Sequence, residues 1–385
     1  MNKYKFFFSL ILAFSSTIAV TAQSRLSDRF ATPQTVSLYH TLQTLPGNKV
    51  LFGHQDDVSA GVSWRNVRNR SDIKELTGDY SAVCGFDLGG LELDKDTNIS
   101  KINFNLIRDY TKESYQRGGI VTFSWHCVNP VNPTLWVKSQ RVTNTIQQMF
   151  AQPDVLARYN TWLDKLADYF LSLKDDDGTL IPVLFRPFHE NTGSWFWWGK
   201  KNCTPDEYVK LWKYTVDYLN KTKHVHNLIY VYCVDRFKGS DDFLERYPGD
   251  NYADILSFDI YEHENPNGPI NGDTGKNFLK QASAMVSKLR DIAQSKHKPY
   301  AIAEIGYKVV PEQNWWTETL LPMVQNSGLS YVLLWGNYNP TYYFAPFKGQ
   351  AGANDFMKFY NQGTMMFQGQ LKQLSPYSKG QAFKR

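Results

Sequence analysis

Two glutamates in this chain stand in settings that suit paired acid chemistry. Glu190 lies in LFRPFHENTGSWFWWG (184–199), between a histidine and an asparagine and just ahead of three tryptophans, and Glu304 lies in the apolar stretch YAIAEIGYK (300–308). Two carboxyl groups facing each other can cleave a glycosidic bond: one protonates the leaving oxygen while the other works on the anomeric carbon. Glu190, flanked by His189 and apolar Phe188 and followed by Trp195, is expected to hold its proton and serve as acid/base. Glu304 needs a partner to stay charged among apolar neighbours. Strand alternation puts Arg186, Phe188 and Glu190 on one face, so the Arg186 guanidinium is a candidate to sit a layer below and keep Glu304 ionised as the nucleophile.

Aromatic rings near such a pair suit a sugar, whose C–H face stacks on flat apolar surface while its hydroxyls seek hydrogen bonds. Trp195 and Trp335 are the strongest candidate platforms, with Tyr261 and with Trp125 and Trp136 on either side of the third loop. Trp136, Trp197 and Trp198 fit loop packing and ligand contact equally well. His54, His126 and His189 each end a different apolar run, but no further ligand completes a metal set, so neither a metal nor any other cofactor is expected.

These residues must be delivered by a scaffold, and eight short runs can do so: 49–55, 81–88, 119–126, 180–190, 227–234, 255–261, 299–306 and 329–337. They are β-branched or aromatic and end in polar residues, and amphipathic stretches such as 155–173, 205–222 and 278–295 separate them. This pattern predicts an α/β fold, a single-domain (β/α)8 barrel over about residues 30–365, whose strand ends bring His54, Asp87, Trp125, His126, His189, Glu190, Asp259, Tyr261, Glu304 and Trp335 to one mouth. An open doubly wound sheet would carry a glycine-rich phosphate turn after an early strand, which this sequence lacks. Long loops are expected at 128–140 and 265–275.

The first 22 residues, two lysines ahead of an apolar run that ends on Val-Thr-Ala, read as a secretion signal cleaved after Ala22, with 23–385 as the catalytic barrel. Ser15, Ser16 and Thr17 interrupt the run short of the ~20 apolar residues of a membrane anchor, so the mature chain is expected in the periplasm or outside the cell. Cys84, Cys127, Cys203 and Cys233 show no zinc spacing and fit either buried thiols or one bridge. A formal charge of +5 with lysine and arginine interspersed among acids offers no stripe for a nucleic acid.

RPFHEN with a downstream AEIG resembles glycoside hydrolase family 26, the endo-β-1,4-mannanases and their relatives in the clan of retaining (β/α)8 hydrolases. FGHQ, FSWH and FDIY, in the right order, are similar to further family motifs, and His189 stands where the wider clan usually has asparagine. The resemblance implies Glu190 as acid/base, Glu304 as nucleophile, and His126, His189, Trp195, Tyr261 and Trp335 around the cleaved bond, with Tyr261 hydrogen-bonded to the nucleophile. It implies a monomer acting on β-mannan. A relative cutting mixed-linkage β-glucan or β-1,3-xylan shares the same pair, and a non-catalytic sugar-binding barrel is the alternative from another class. Where some relatives follow the eighth-strand tryptophan with an arginine, this chain has Gly336 and Asn337.

Overall fold

The computed structural model describes residues 26–47, 49–135, 137–138, 142–262 and 275–378. The expected leader, Trp136 and most of the 265–275 loop lie outside these residues.

Eight parallel strands close into a barrel: β1 Val50–Gln55, β2 Val83–Asp87, β3 Ile120–Trp125, β4 Val183–Pro187, β5 Leu228–Val234, β6 Ile255–Glu262, β7 Tyr300–Tyr307 and β8 Tyr331–Leu334. Closure is direct, with Leu51 of β1 in register with Tyr331 of β8. All eight strands form within the runs read from the sequence or one residue beyond. That accuracy has a physical source: side chains alternate sides along a strand, and here both sides are buried, so each strand is an apolar run bounded by polar residues.

The outward set, including Phe52, Phe86, Phe123, Phe185 and Phe258, packs against the helices. The inward set includes Leu51, Leu184, Ile229, Val231, Ala301 and Tyr331, and the helix Pro33–Gln43 covers it from below with Leu38, Tyr39 and Leu42. This helix starts cleanly because Pro33 opens it and the Thr32 side chain accepts a hydrogen bond from the Thr35 N–H. The C-terminal end adds to the same floor. Met365–Met366 pairs with Val50 and Leu51 on the edge of β1 below the point where β2 joins it, extending the structure beyond the expected limit near residue 365.

The three expected amphipathic helices form as Pro153–Ser172, Pro205–Asp217 and Gly275–Ser295, the second continuing into a π-helical turn at Tyr218–Thr222. A reciprocal capping box starts the second, with Thr204 and Glu207 bonding each other's backbone. Among the described residues all four cysteines are free and buried, and no helix is long and apolar enough to cross a membrane.

Candidate active site

At the end of β4 the chain leaves strand geometry. Phe188 and Glu190 adopt left-handed backbone conformations, φ 49° and 52°, which cost on the order of 1–3 kcal/mol each for residues with a side chain. Alternation therefore stops at Pro187, correcting the expected shared face. Phe188 turns away from the barrel axis into a cluster with Trp125, Trp197, Trp198 and Trp212. The turn is held by Tyr208 donating to the Phe188 carbonyl (2.9 Å), Trp198 Nε1 donating to the His189 carbonyl (2.8 Å) and Asn191 Nδ2 donating to the Cys233 carbonyl (3.0 Å).

Glu190 emerges from this turn 9% exposed, with Trp195 Nε1 donating to its Oε2 at 2.6 Å. Burial, then the charges of Asp259, Glu304 and Asp235, push its carboxyl well above the usual range. Such surroundings favour its protonated form.

Glu304 depends on an irregularity in β7. Phe258 pairs with Ile302 but Asp259 with Glu304, and across the other edge Val332 pairs with Ile302 but Leu334 with Ile305. Strand β7 thus carries one residue more than either neighbour, a bulge at Ala303–Glu304. Ala303 belongs to the barrel interior, and strict alternation would send Glu304 outward. The bulge lets both face inward. There Glu304 Oε1 accepts from Arg186 Nη2, and Oε2 accepts from Tyr261 OH at 2.6 Å. The other arm of Arg186 donates to Asp259 Oδ2 at 2.7 Å, so one guanidinium serves two buried carboxylates.

One oxygen each from Glu190, Asp259 and Glu304 lies within 4.8 Å of the others. Arg186 already supplies a cation to two of the three. Burial raises the Asp259 carboxyl, with Arg186 pulling in the opposite direction.

Around this pair His126 is fixed by Asp87, whose Oδ2 lies 2.7 Å from its Nδ1 and also accepts from Ser124 Oγ at 2.7 Å. The His189 ring meets that of His126 edge-on with centroids 4.6 Å apart. Burial, then the charges of Arg186 and His126, hold His189 well below the usual histidine range and therefore neutral. Trp195, Tyr261 and Trp335 are half-buried. Trp335 is anchored beside β7 by its backbone N–H, which donates to the Ile305 carbonyl at 3.0 Å.

Trp125 is not at the mouth. It shares the outward face with Phe123, stacks on Tyr159 with centroids 6.3 Å apart, and directs Nε1 to Glu92 (3.3 Å), which corrects its expected place beside a ligand. Trp197 and Trp198 are likewise buried, their indole N–H groups tied to the Cys127 and His189 carbonyls. Asp259 and Asp87, legible as strand ends, are found to support Arg186 and His126. Asp235, just past β5, was not singled out. Burial pushes it up to about 6, and its charge reaches Glu190 and Asp259. Only its position after an apolar run signalled it.

Fold and mouth together define a (β/α)8 barrel with two opposed glutamates among aromatic rings at the C-terminal ends of its strands. A sequence model described as Glycosyl hydrolase family 26 matches residues 28–320, and the chain belongs to that family. It is 30% identical over 365 residues to a mannan endo-1,4-beta-mannosidase of Bifidobacterium adolescentis, covering 87% of this chain and 34% of that protein. It is 28% identical over 330 residues to mannan endo-1,4-beta-mannosidase A and B of Caldalkalibacillus mannanilyticus, covering 79% and 57%. The chain thus spans about a third to somewhat over half the length of these relatives. Among solved structures, a family 26 beta-mannanase from Bacteroides ovatus superposes with a TM-score of 0.84 at 36% identity, covering 92% of this chain and 99% of the other.

Proposed function

We propose that the protein is a retaining β-mannanase that hydrolyses β-1,4-mannosidic bonds in mannan, galactomannan or glucomannan by double displacement. The observation that carries this reading is that one oxygen of Glu190 and one of Glu304 lie within 4.8 Å of each other, an approach that suits the close carboxyl pair of a retaining enzyme, at ~5–5.5 Å, better than the wider pair of an inverting one. The names of the relatives support mannan as the substrate.

In the first step Glu304 attacks the anomeric carbon and the bond to the leaving oxygen breaks, while that oxygen takes the proton of Glu190. Arg186 and Tyr261 hold the two Glu304 oxygens and so aim the attack, and the Tyr261 bond must yield as its oxygen becomes covalently bound. In the second step Glu190, now a carboxylate, removes a proton from water as that water attacks the anomeric carbon and frees Glu304. Trp195 and Trp335 offer their exposed faces to the sugars on either side, and neutral His189 bonds a hydroxyl. The protein acts as an exported monomer, in the periplasm or outside the cell.

Offering mannan, galactomannan, β-glucan and xylan and following the products over time tests the substrate. Release from glucan or xylan alone overturns the mannanase reading. Glu304→Ala is expected to lose more than about 10³-fold in kcat and to regain turnover with azide, giving a glycosyl azide of inverted configuration. Unimpaired turnover by that variant removes Glu304 as nucleophile.

A further inference from the structure

Beneath the carboxylate pair lies a thiol that the reaction does not consume. Cys233, on the inward face of β5 and fully buried, donates from Sγ to Asp259 Oδ1 at 3.1 Å and lies 3.7 Å from Arg186 Nη1. Asp259 Oδ2 is taken by Arg186, so the thiol is what holds the second oxygen. The result is a chain of bonds, Cys233 to Asp259 to Arg186 to Glu304, closed at the top by Tyr261. The backbone of the same residue reaches the other half of the pair, since its carbonyl accepts from Asn191 Nδ2 next to Glu190. We propose that Cys233 is a positioning residue for the reaction, its thiol fixing the Asp259–Arg186 support that aims Glu304.

The physical reason is how Arg186 divides itself between two carboxylates. Asp259 is fully buried, and a buried carboxylate oxygen without a donor is costly. The S–H bond, like Arg186, favours the charged form of Asp259 against the burial that raises its carboxyl, and so favours its sharing of the guanidinium. Without it, Asp259 takes up a proton more readily, releases its claim on Arg186, and leaves the whole positive charge on Glu304. A carboxylate held that tightly is a poorer nucleophile. Among the described residues the ionisable groups facing Asp259 are Arg186 of β4, Cys233 and Asp235 at β5, Tyr261 of β6, Glu304 of β7 and Tyr331 of β8, with Glu190 above. Of these only Cys233 and Arg186 bond it.

The inference rests on Glu304 being the nucleophile, and its test compares the wild-type protein with Cys233→Val and Cys233→Ser. Val removes the donor at similar volume, whereas Ser restores an O–H. Val is expected to lower kcat about tenfold or more with KM within about twofold, the scale of one hydrogen bond to a charged group, and to move to higher pH the acid-side loss of activity that follows protonation of Asp259. Ser is expected to stay within about threefold of wild type on the same scale. A Val variant with wild-type kcat and pH profile, or a Ser variant as impaired as Val, overturns the role. An infrared measurement needs no turnover: the S–H stretch lost in Cys233→Ser should lie at the low frequency of a bonded thiol and rise in Asp259→Asn. A band at the unbonded frequency refutes the contact itself. Wild-type protein inactive on every polysaccharide bears instead on the proposed function.

Discussion

Glu190 and Glu304 carry the same carboxyl group in opposite surroundings. Trp195 gives Glu190 a single neutral donor, and three acids around it disfavour its charge, whereas Glu304 has Arg186 and Tyr261 on its two oxygens. A raised carboxyl also has a cost in stability with a definite sign. Neutral Glu190 suits the fold below its ordinary pKa near ~4.3, and that advantage is lost as pH rises through its higher folded value. Glu190→Gln is therefore expected to abolish most activity on mannan yet to gain about 1–2 kcal/mol against denaturant at pH 8, with the gain shrinking towards pH 4. Paired urea titrations of wild type and variant at both pH values check this. A loss of stability at pH 8 contradicts the assigned environment.

Elements act on the site through their ends and irregularities. The left-handed turn after β4 and the bulge in β7 each turn a glutamate toward the mouth, and the loop after β8 is held by one buried residue. Asn337 Nδ2 donates to Asp72 Oδ2 (2.9 Å) and to the Ala345 carbonyl (3.1 Å), while its Oδ1 accepts the N–H groups of Phe344 and Ala345. That duty explains asparagine two residues after Trp335, and Gly336 before it leaves no side chain to reach a sugar. Asn337→Ala strands several buried partners and is expected to cost about 2 kcal/mol. The loosened loop should raise KM for polymer several-fold with a smaller change in kcat, which steady-state kinetics on mannan would reveal.

Across the whole molecule, stability and chemistry sit at opposite ends of the barrel. The floor of Leu38, Tyr39 and Leu42 lies far below the mouth, so Leu38→Ala should cost about 2–5 kcal/mol while leaving kcat at 25 °C within about twofold. Thermal unfolding and initial rates on one preparation separate the two. The four thiols are unpaired, and reductant should therefore leave the unfolding midpoint unchanged.

The strands, their order and the delivery of Glu190 and Glu304 to one mouth were legible in the sequence because burial on two faces writes each strand as a bounded apolar run, and a strand's polar terminus is a local signal. The same alternation also suggested Arg186 as a partner for Glu304. It failed where geometry departs from alternation. Nothing local in RPFHEN announces that Phe188 and Glu190 turn left-handed, or that β7 gains a residue at Ala303, because both departures are sustained by contacts distant in the chain: the Tyr208 hydroxyl, the tryptophan cluster, and the register of β6 and β8. For the same reason the sequence could not decide which tryptophans meet solvent. Trp125 and Trp195 are the same residue type near strand ends, and it is the tertiary packing of Tyr159 from the helix at Pro153–Ser172, with Phe188 and Glu92, that buries Trp125 while Trp195 stays half-buried.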